Sequence, residues 1–146
     1  SGGKSPPART YRVPTVCVRA KVKRFSTREH PVTITKIPAP SVDVITDDLA
    51  GWTKAEGNPT MKTWIEYTAP DGSMIAGWWE ATPGTYYAEY SGWEFVHLIE
   101  GKAIITPDGG EPVEVGPGDA FIFEADFKGF WKIVEPIKKH FTIKLK

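Results

Sequence analysis

The chain lacks the features that mark secreted and membrane-spanning proteins. It has one cysteine among 146 residues, so an internal disulfide is excluded and nothing indicates secretion. No apolar run approaches the roughly 20 residues that a membrane-spanning helix needs, and no signal-peptide pattern is present. We therefore expect a cytoplasmic protein that does not bind membranes.

The net charge is zero, but the charged residues are unevenly distributed along the chain. Residues 1–40 hold nine Lys or Arg and one Glu, whereas the remainder holds nine Lys and seventeen Asp or Glu. A basic arm of this kind suggests either a nucleic-acid contact or packing against the acidic body or a partner subunit. The basic residues alternate with apolar ones instead of forming a block, which favours packing. We therefore expect no nucleic-acid partner.

The first third of the chain separates into a tail and an extension. Residues 1–12 are rich in Pro, Gly and Ser, which predicts a disordered tail. Residues 13–56 are predicted to be an N-terminal extension whose β-strands pack on the barrel or on a partner subunit. Within it, residues 16–23 alternate apolar with mostly basic side chains, which is typical of a half-buried strand. Cys17 falls on the outer face of that strand and is expected to be inert.

Two weaker patterns follow in the extension. Val32 and Ile34 suggest a short strand. Asp47 is a suitable N-cap and Gly51 a suitable stop, so residues 47–52 are predicted to form one helical turn. This is the only helix that the sequence suggests.

Residues 57–146 are predicted to be all-β, as an antiparallel sandwich or a small barrel. Turn signals such as Gly116-Pro117-Gly118-Asp119 separate short apolar runs about every ten residues, a rhythm typical of antiparallel sandwiches and small barrels. A hairpin is predicted with its turn at residues 70–72, between strands 63–67 and 74–80. The last strand is predicted from the alternation of Phe141, Ile143 and Leu145 with polar residues.

The candidate site is predicted from side-chain parity, because neighbouring residues of a strand point to opposite faces. Glu94 shares a face with Val96 and Leu98, and Tyr87 shares a face with Glu89. If both faces point inward, Glu89 and Glu94 form an acidic spot inside the barrel. The aromatic walls of this pocket are predicted to be Trp79, Tyr87 and Trp131, although large aromatics also simply fill barrels.

Glu89 and Glu94 are the candidate catalytic residues. Two buried carboxylates close together repel each other when both are ionised, which raises the pKa of one of them. One carboxylate would then hold a proton, and the pair would act as general acid and base. The alternative is that both are solvated at the mouth of the barrel and have no chemical role. Glu124 and Asp126 are expected at a turn, and His97 and His140 are expected to point away from the Glu94 face.

The central motifs resemble those of the cupin superfamily. Glu94 followed seven residues later by Gly101 matches the end of its first motif, and Pro117-Gly118-Asp119 matches the opening of its second. More closely, the chain resembles small single-domain cupins allied to (S)-ureidoglycine aminohydrolase. The matching segments are residues 76–80, 82–84, 94–101, 118–121, 127–131 and 136–141. The resemblance implies a double-stranded β-helix, or jelly-roll barrel, with an N-terminal extension.

The resemblance also implies where a cupin metal site would lie. The positions of its three histidines are occupied here by Tyr87, Glu89 and Gly129, which leaves Glu89 and Glu94 as the remaining carboxylate ligands. Transition metals generally require imidazole or thiolate ligands. We therefore expect a pocket without a divalent metal rather than one that binds it, and the sequence does not identify a cofactor.

Two functions follow from this resemblance and from the candidate pocket. The first is an enzyme acting on a small polar metabolite of the amide or ureido type. The alternative is a metal-free cupin that binds a small molecule without catalysis. A homodimer is expected in either case, because cupins commonly pair and the amphipathic N-terminal strand must bury its valine face.

Overall fold

The computed structural model describes residues 32–145, which contain eight β-strands and no helix. In chain order the strands are β1 (Trp52–Glu56), β2 (Met61–Thr68), β3 (Met74–Ala81), β4 (Gly84–Glu89), β5 (Trp93–Pro107), β6 (Val113–Val115), β7 (Ala120–Phe123) and β8 (Lys128–Lys144). No helix in this part of the chain is long and apolar enough to cross a membrane.

All strand pairs are antiparallel and belong to one curled sheet. Its main path runs β1-β4-β8-β3-β2, and β5 pairs with β6, β7 and β8. The two long strands serve both halves of the barrel: residues 128–133 of β8 pair with β4, and residues 137–144 pair with β3. β5 runs alongside β8 over nearly its whole length. This arrangement confirms the predicted all-β barrel.

The strong bend of β5 occurs around Gly101. Its φ angle is +94°, and a Cβ there would lie 2.1 Å from the carbonyl oxygen of Pro136. Only glycine fits this left-handed conformation so close to another backbone. The pairing of β5 with β8 also shifts register on either side of this position. The glycine therefore lets one long strand take part in both halves of the barrel.

The core lies between the inner faces of the curled sheet. Alternate residues of β5 and β8 are buried, which follows from the two-residue period of a strand. The buried apolar residues are Met61, Trp79, Ala81, Tyr86, Ala88, Val96, Leu98, Ala103, Ile105, Val115, Phe123, Trp131, Ile133, Ile137 and Phe141. Five of these residues are aromatic, and Trp79, Trp131 and Tyr86 are the largest fully buried side chains of the barrel.

Most of the predicted elements of the barrel are confirmed. The hairpin forms with a turn at residues 70–72, and the last strand alternates as predicted. The helical turn at 47–52 is wrong, because the chain there makes a single turn, closed by a hydrogen bond of 3.0 Å from the Trp52 N–H to the Leu49 carbonyl oxygen, and then enters β1. The strand at Val32 and Ile34 is also wrong: both side chains are exposed and have no strand partner in the described part.

Other predictions concern the start of the chain. The tail at 1–12, the basic strand at 16–23 and Cys17 lie outside the described residues. The domain boundary at residue 57 stays a prediction. On its N-terminal side, β1 pairs with β4 in the barrel sheet, and Ile45 makes an isolated bridge to Thr63.

Candidate active site

A pocket opens into the barrel beside the bend between β4 and β5. Its volume is about 170 Å³. This is smaller than the roughly 300–1,000 Å³ of pockets for drug-sized ligands, so it suits a small metabolite. Apolar side chains of β2, β3 and β8 form the walls, and the polar lining residues include Thr63, Glu89, Tyr90, Glu94 and Lys139.

Glu94 and Lys139 form a buried ion pair in this pocket. The Lys139 Nζ donates a hydrogen bond to the Glu94 Oε1 over 3.3 Å. The two side chains are 6% and 1% exposed, respectively. Removing two charges from water costs several kcal/mol per ion, a cost that a close and well-oriented partner offsets. The pair therefore places one strong donor and one strong acceptor side by side in the pocket.

The alternation of β8 explains why a lysine points inward. Ile137, Lys139 and Phe141 share the buried face of this strand, while Lys138 and His140 take the other face. The central position of β8, between β3 and β5, brings Lys139 opposite both Trp79 and Leu98. By the same rule Glu94 is buried on the inner face of β5, and it shares that face with Val96 and Leu98 as predicted.

Three tryptophans surround the Lys139 ammonium. Its Nζ lies 4.6 Å from the ring centroid of Trp79, 4.8 Å from that of Trp131 and 6.0 Å from that of Trp52. The three rings also pack on one another, with centroids 5.3–5.8 Å apart. Aromatic faces attract cations, most strongly when water is excluded. These rings therefore hold the lysine head group in place.

Tyr90 and Thr63 add two hydroxyls. The Trp131 Nε1 donates a hydrogen bond to the Tyr90 hydroxyl over 3.1 Å, and the charge of Glu94 also acts on Tyr90. The buried hydroxyl of Thr63 has no hydrogen-bond partner among residues 32–145. A buried polar group without a partner is costly, so Thr63 is ready to bond to a ligand.

Burial changes the acidity of two of these groups. Loss of water lowers the pKa of Lys139 below its usual value, although the nearby Glu94 acts in the opposite direction. Burial raises the pKa of Tyr90 well above its usual value, and the charge of Glu94 adds to this effect. Tyr90 therefore stays a hydrogen-bond donor at neutral pH, and Lys139 loses its proton more easily than an exposed lysine.

The predicted inward position of Tyr87 is wrong. Tyr86 and Ala88 are buried on the inner face of β4, so Tyr87 and Glu89 point outward. The Tyr87 hydroxyl donates a hydrogen bond to Asp108, which raises the pKa of Tyr87 to about 12. The chain bends between β4 and β5, and the face of one strand therefore does not predict the face of the next.

The structure places the other predicted residues in different parts of the site. Glu89 is exposed and lies at the rim of the pocket, so it does not form a buried carboxylate pair with Glu94. Trp79 lines the pocket, as predicted, whereas Trp131 is fully buried and supports Lys139 from the core. The catalytic and binding roles of these residues stay predictions.

The described residues do not fit a transition-metal site. No group of three or more His, Cys, Asp or Glu in the range 32–145 could hold a metal ion. Glu94 is already paired with the Lys139 ammonium, Glu89 is at the rim, and Gly129 offers no ligand. Imidazole or thiolate ligands, which such metals prefer, are absent from this set.

The two histidines of the barrel lie outside the pocket. His97 and His140 are half-buried, opposite one another on the outer faces of β5 and β8. The His140 ring packs on Trp78 with centroids 3.8 Å apart. Glu124 and Asp126 lie at the turn before β8, as predicted, and both are exposed. None of the four lines the pocket.

Sequence reasoning missed Lys139 as a site residue. The signal was available, because the strand alternation that buries Phe141 also buries the residue two positions earlier. A lysine at such a position is rarely fully buried unless it is paired. The same rule could have singled out Lys139, but not its partner on β5.

The comparisons with known proteins agree with this architecture. Residues 68–141, about half of the chain, match the family model described as the EutQ-like cupin domain. No curated protein matches the chain in sequence. The family match confirms the predicted cupin fold.

Several solved structures share the fold at low sequence identity. The EutQ protein of Clostridium difficile is 16% identical with a TM-score of 0.53, over 60% of this chain and 69% of that chain. The polyketide cyclase RemF from Streptomyces resistomycificus is 18% identical with a TM-score of 0.56, over 77% and 81%. Ectoine synthase from P. lautus is 17% identical with a TM-score of 0.51, over 68% of each chain. With this shared barrel and the family match over residues 68–141, the chain belongs to the family of EutQ-like cupin domains.

Proposed function

We propose that this protein binds a small polar metabolite in the pocket that Glu94 and Lys139 line, without a transition metal. The observation that carries the proposal is the buried ion pair at the base of an apolar pocket. Ligand sites are typically apolar clefts with a few convergent polar groups. Here those groups are an ammonium, a carboxylate and two hydroxyls.

The chemistry of these groups favours a ligand that both donates and accepts hydrogen bonds. Lys139 donates, Glu94 accepts, and the unpartnered Thr63 hydroxyl does either. An amide or ureido group presents a carbonyl acceptor next to an N–H donor, which matches this arrangement. This match supports the amide- or ureido-type metabolite that the sequence suggested.

Tryptophan fluorescence provides the test, because Trp52, Trp79 and Trp131 surround the Lys139 head group. The protein is titrated with propionamide and methylurea, and we expect a saturable change in emission. Lys139→Met should abolish the response. Lys132→Met is the matched control, since this exposed lysine lies on the same strand, and it should respond like the wild type.

Thr63→Val tests the pocket without altering the ion pair. The two side chains have nearly the same shape, so the loss is confined to one hydrogen bond. We expect binding to weaken roughly threefold to tenfold. The proposal is wrong if none of these compounds changes the emission of the wild-type protein, or if Lys139→Met binds them equally well.

The same samples distinguish a binder from an enzyme. Ligand recovered unchanged after long incubation indicates binding alone, and a product that depends on Glu94 indicates catalysis. The predicted homodimer stays a prediction, which sedimentation of the full chain would test.

A further inference from the structure

Lys139 is a primary amine enclosed by apolar surface next to a carboxylate. Its Nζ contacts Glu94 and the tryptophan rings, and the residue lines the pocket. Tyr90 lines the same pocket, and its hydroxyl is close enough to Glu94 to be affected by that carboxylate's charge. An amine nucleophile, a group that exchanges protons and a hydroxyl donor thus meet in one small cavity.

We infer that Lys139 forms a reversible imine with a small aldehyde or ketone that enters this pocket. The inference rests on the proposed function, since it requires that the pocket admits a small polar ligand, and it adds aldehydes and ketones to the ligands that the pocket takes. Lysines that act as nucleophiles and form imines are typically desolvated in an apolar pocket, as Lys139 is. Glu94 serves as the proton carrier.

The reaction balances without a further reactant. Lys139 first transfers a proton to Glu94, and the neutral Nζ attacks the carbonyl carbon to form a C–N bond. The carbonyl oxygen takes up protons, one of them through Glu94, and leaves as water when the C=N bond forms. The products are a protonated imine, the Glu94 carboxylate and one water molecule. The total charge of the pair and the ligand is therefore unchanged.

The surroundings that stabilise the ammonium also suit the protonated imine. Its positive charge stays beside Glu94 and close to the rings of Trp79 and Trp131. These interactions are electrostatic and depend on the charge more than on its substituent. The volume of about 170 Å³ limits the carbonyl compound to a few heavy atoms.

Acidity distinguishes Lys139 from the exposed lysines of the same strand. Burial lowers the pKa of Lys139, which increases the fraction of neutral amine at neutral pH. A larger neutral fraction makes a lysine a faster nucleophile, so we expect Lys139 to react faster than the exposed lysines of β8. Exposed Lys128 and Lys132 provide the comparison within one molecule.

Reductive trapping tests the inference. The full chain is incubated with propionaldehyde and cyanoborohydride at neutral pH, and propylated lysines are located by peptide mass spectrometry over time. We expect the propyl group on Lys139 first. Propionamide, which resembles the aldehyde but cannot form an imine, should protect Lys139 and leave Lys132 unprotected. Lys139→Arg should remove the fast adduct, whereas Lys132→Arg should not.

The outcomes separate this inference from the proposed function. If Lys139 is propylated no faster than Lys132, the imine is refuted. If propionamide still changes tryptophan emission in that case, the proposed ligand pocket stands. Absence of both the adduct and the emission change refutes both proposals. If Lys139→Arg does not fold, the protection by propionamide in the wild-type protein decides the question.

Discussion

The buried ion pair between Glu94 and Lys139 predicts that Lys139→Met strongly lowers the free energy of unfolding. Lys139→Met replaces the buried ammonium with an apolar side chain of similar length and leaves the Glu94 carboxylate without its partner. Removing one member of a buried pair typically costs about 3–5 kcal/mol, because the remaining charge is desolvated and unpaired. Both side chains are almost completely buried and 3.3 Å apart, so the full cost applies here.

The double variant E94L/K139M should recover most of this loss. Replacing both charges with apolar side chains of similar volume is often neutral or even stabilising, by about 1–4 kcal/mol. The single variants and the double variant form a cycle whose coupling energy isolates the interaction between the two residues. A large coupling energy together with a stable double variant would show that the pair is not needed for folding.

Urea denaturation followed by tryptophan fluorescence measures these differences. For a protein with an m-value of about 1–3 kcal/mol per M, a loss of about 3–5 kcal/mol lowers the urea midpoint of Lys139→Met by about 1–5 M. Lys132→Met is the control, and this exposed change should stay within about 0.5 kcal/mol of the wild type. A midpoint for Lys139→Met equal to that of Lys132→Met would refute the buried pair.

Two further predictions concern the outer surface and the strand packing. Burial, with smaller effects from His97 and Lys138, lowers the pKa of His140 below 6.5, so the unfolded chain binds a proton more readily than the folded one. Stability should therefore fall as the pH is lowered from 6.5 through the folded-state pKa of His140. His140→Phe should show less of this loss in urea midpoints between pH 7.5 and 5, and an identical profile would contradict the assignment. Gly77→Ala should destabilise by about 1–3 kcal/mol, because its Cβ would lie 1.8 Å from the backbone oxygen of Trp64. Gly116→Ala, where nothing lies within 4 Å, is its control, and equal urea midpoints for the two variants would refute the close contact.

Local pattern was enough to predict much of the barrel. Turn residues at regular spacing predicted the antiparallel strands, and alternation along β5 predicted that Glu94 shares a face with Val96 and Leu98. Alternation along the last strand predicted the face that carries Phe141. These predictions succeed because the direction of a side chain relative to its neighbours on one strand is a local property.

The prediction of a helical turn at residues 47–52 was wrong because a segment this short does not determine its own structure. Asp47 and Gly51 are suitable residues for the two ends of a helix, but such short segments form helices only when tertiary packing supports them. Instead, the chain leads into β1, and Trp52 packs against Trp79 and Tyr86. Long-range packing outweighed the local propensity.

The sequence by itself determined the hairpin at residues 63–80, the alternation of the last strand and which neighbours share a face with Glu94, since all of these depend on residues close together in the chain. Only the tertiary structure decided which face of β4 points inward, because the bend at residues 90–92 breaks the alternation between β4 and β5. It also decided the partner of Glu94. Lys139 lies 45 residues further along the chain, and the antiparallel pairing of β5 with β8 brings the two charges together. Pairing between distant strands is a property of the whole sheet, which no local pattern contains.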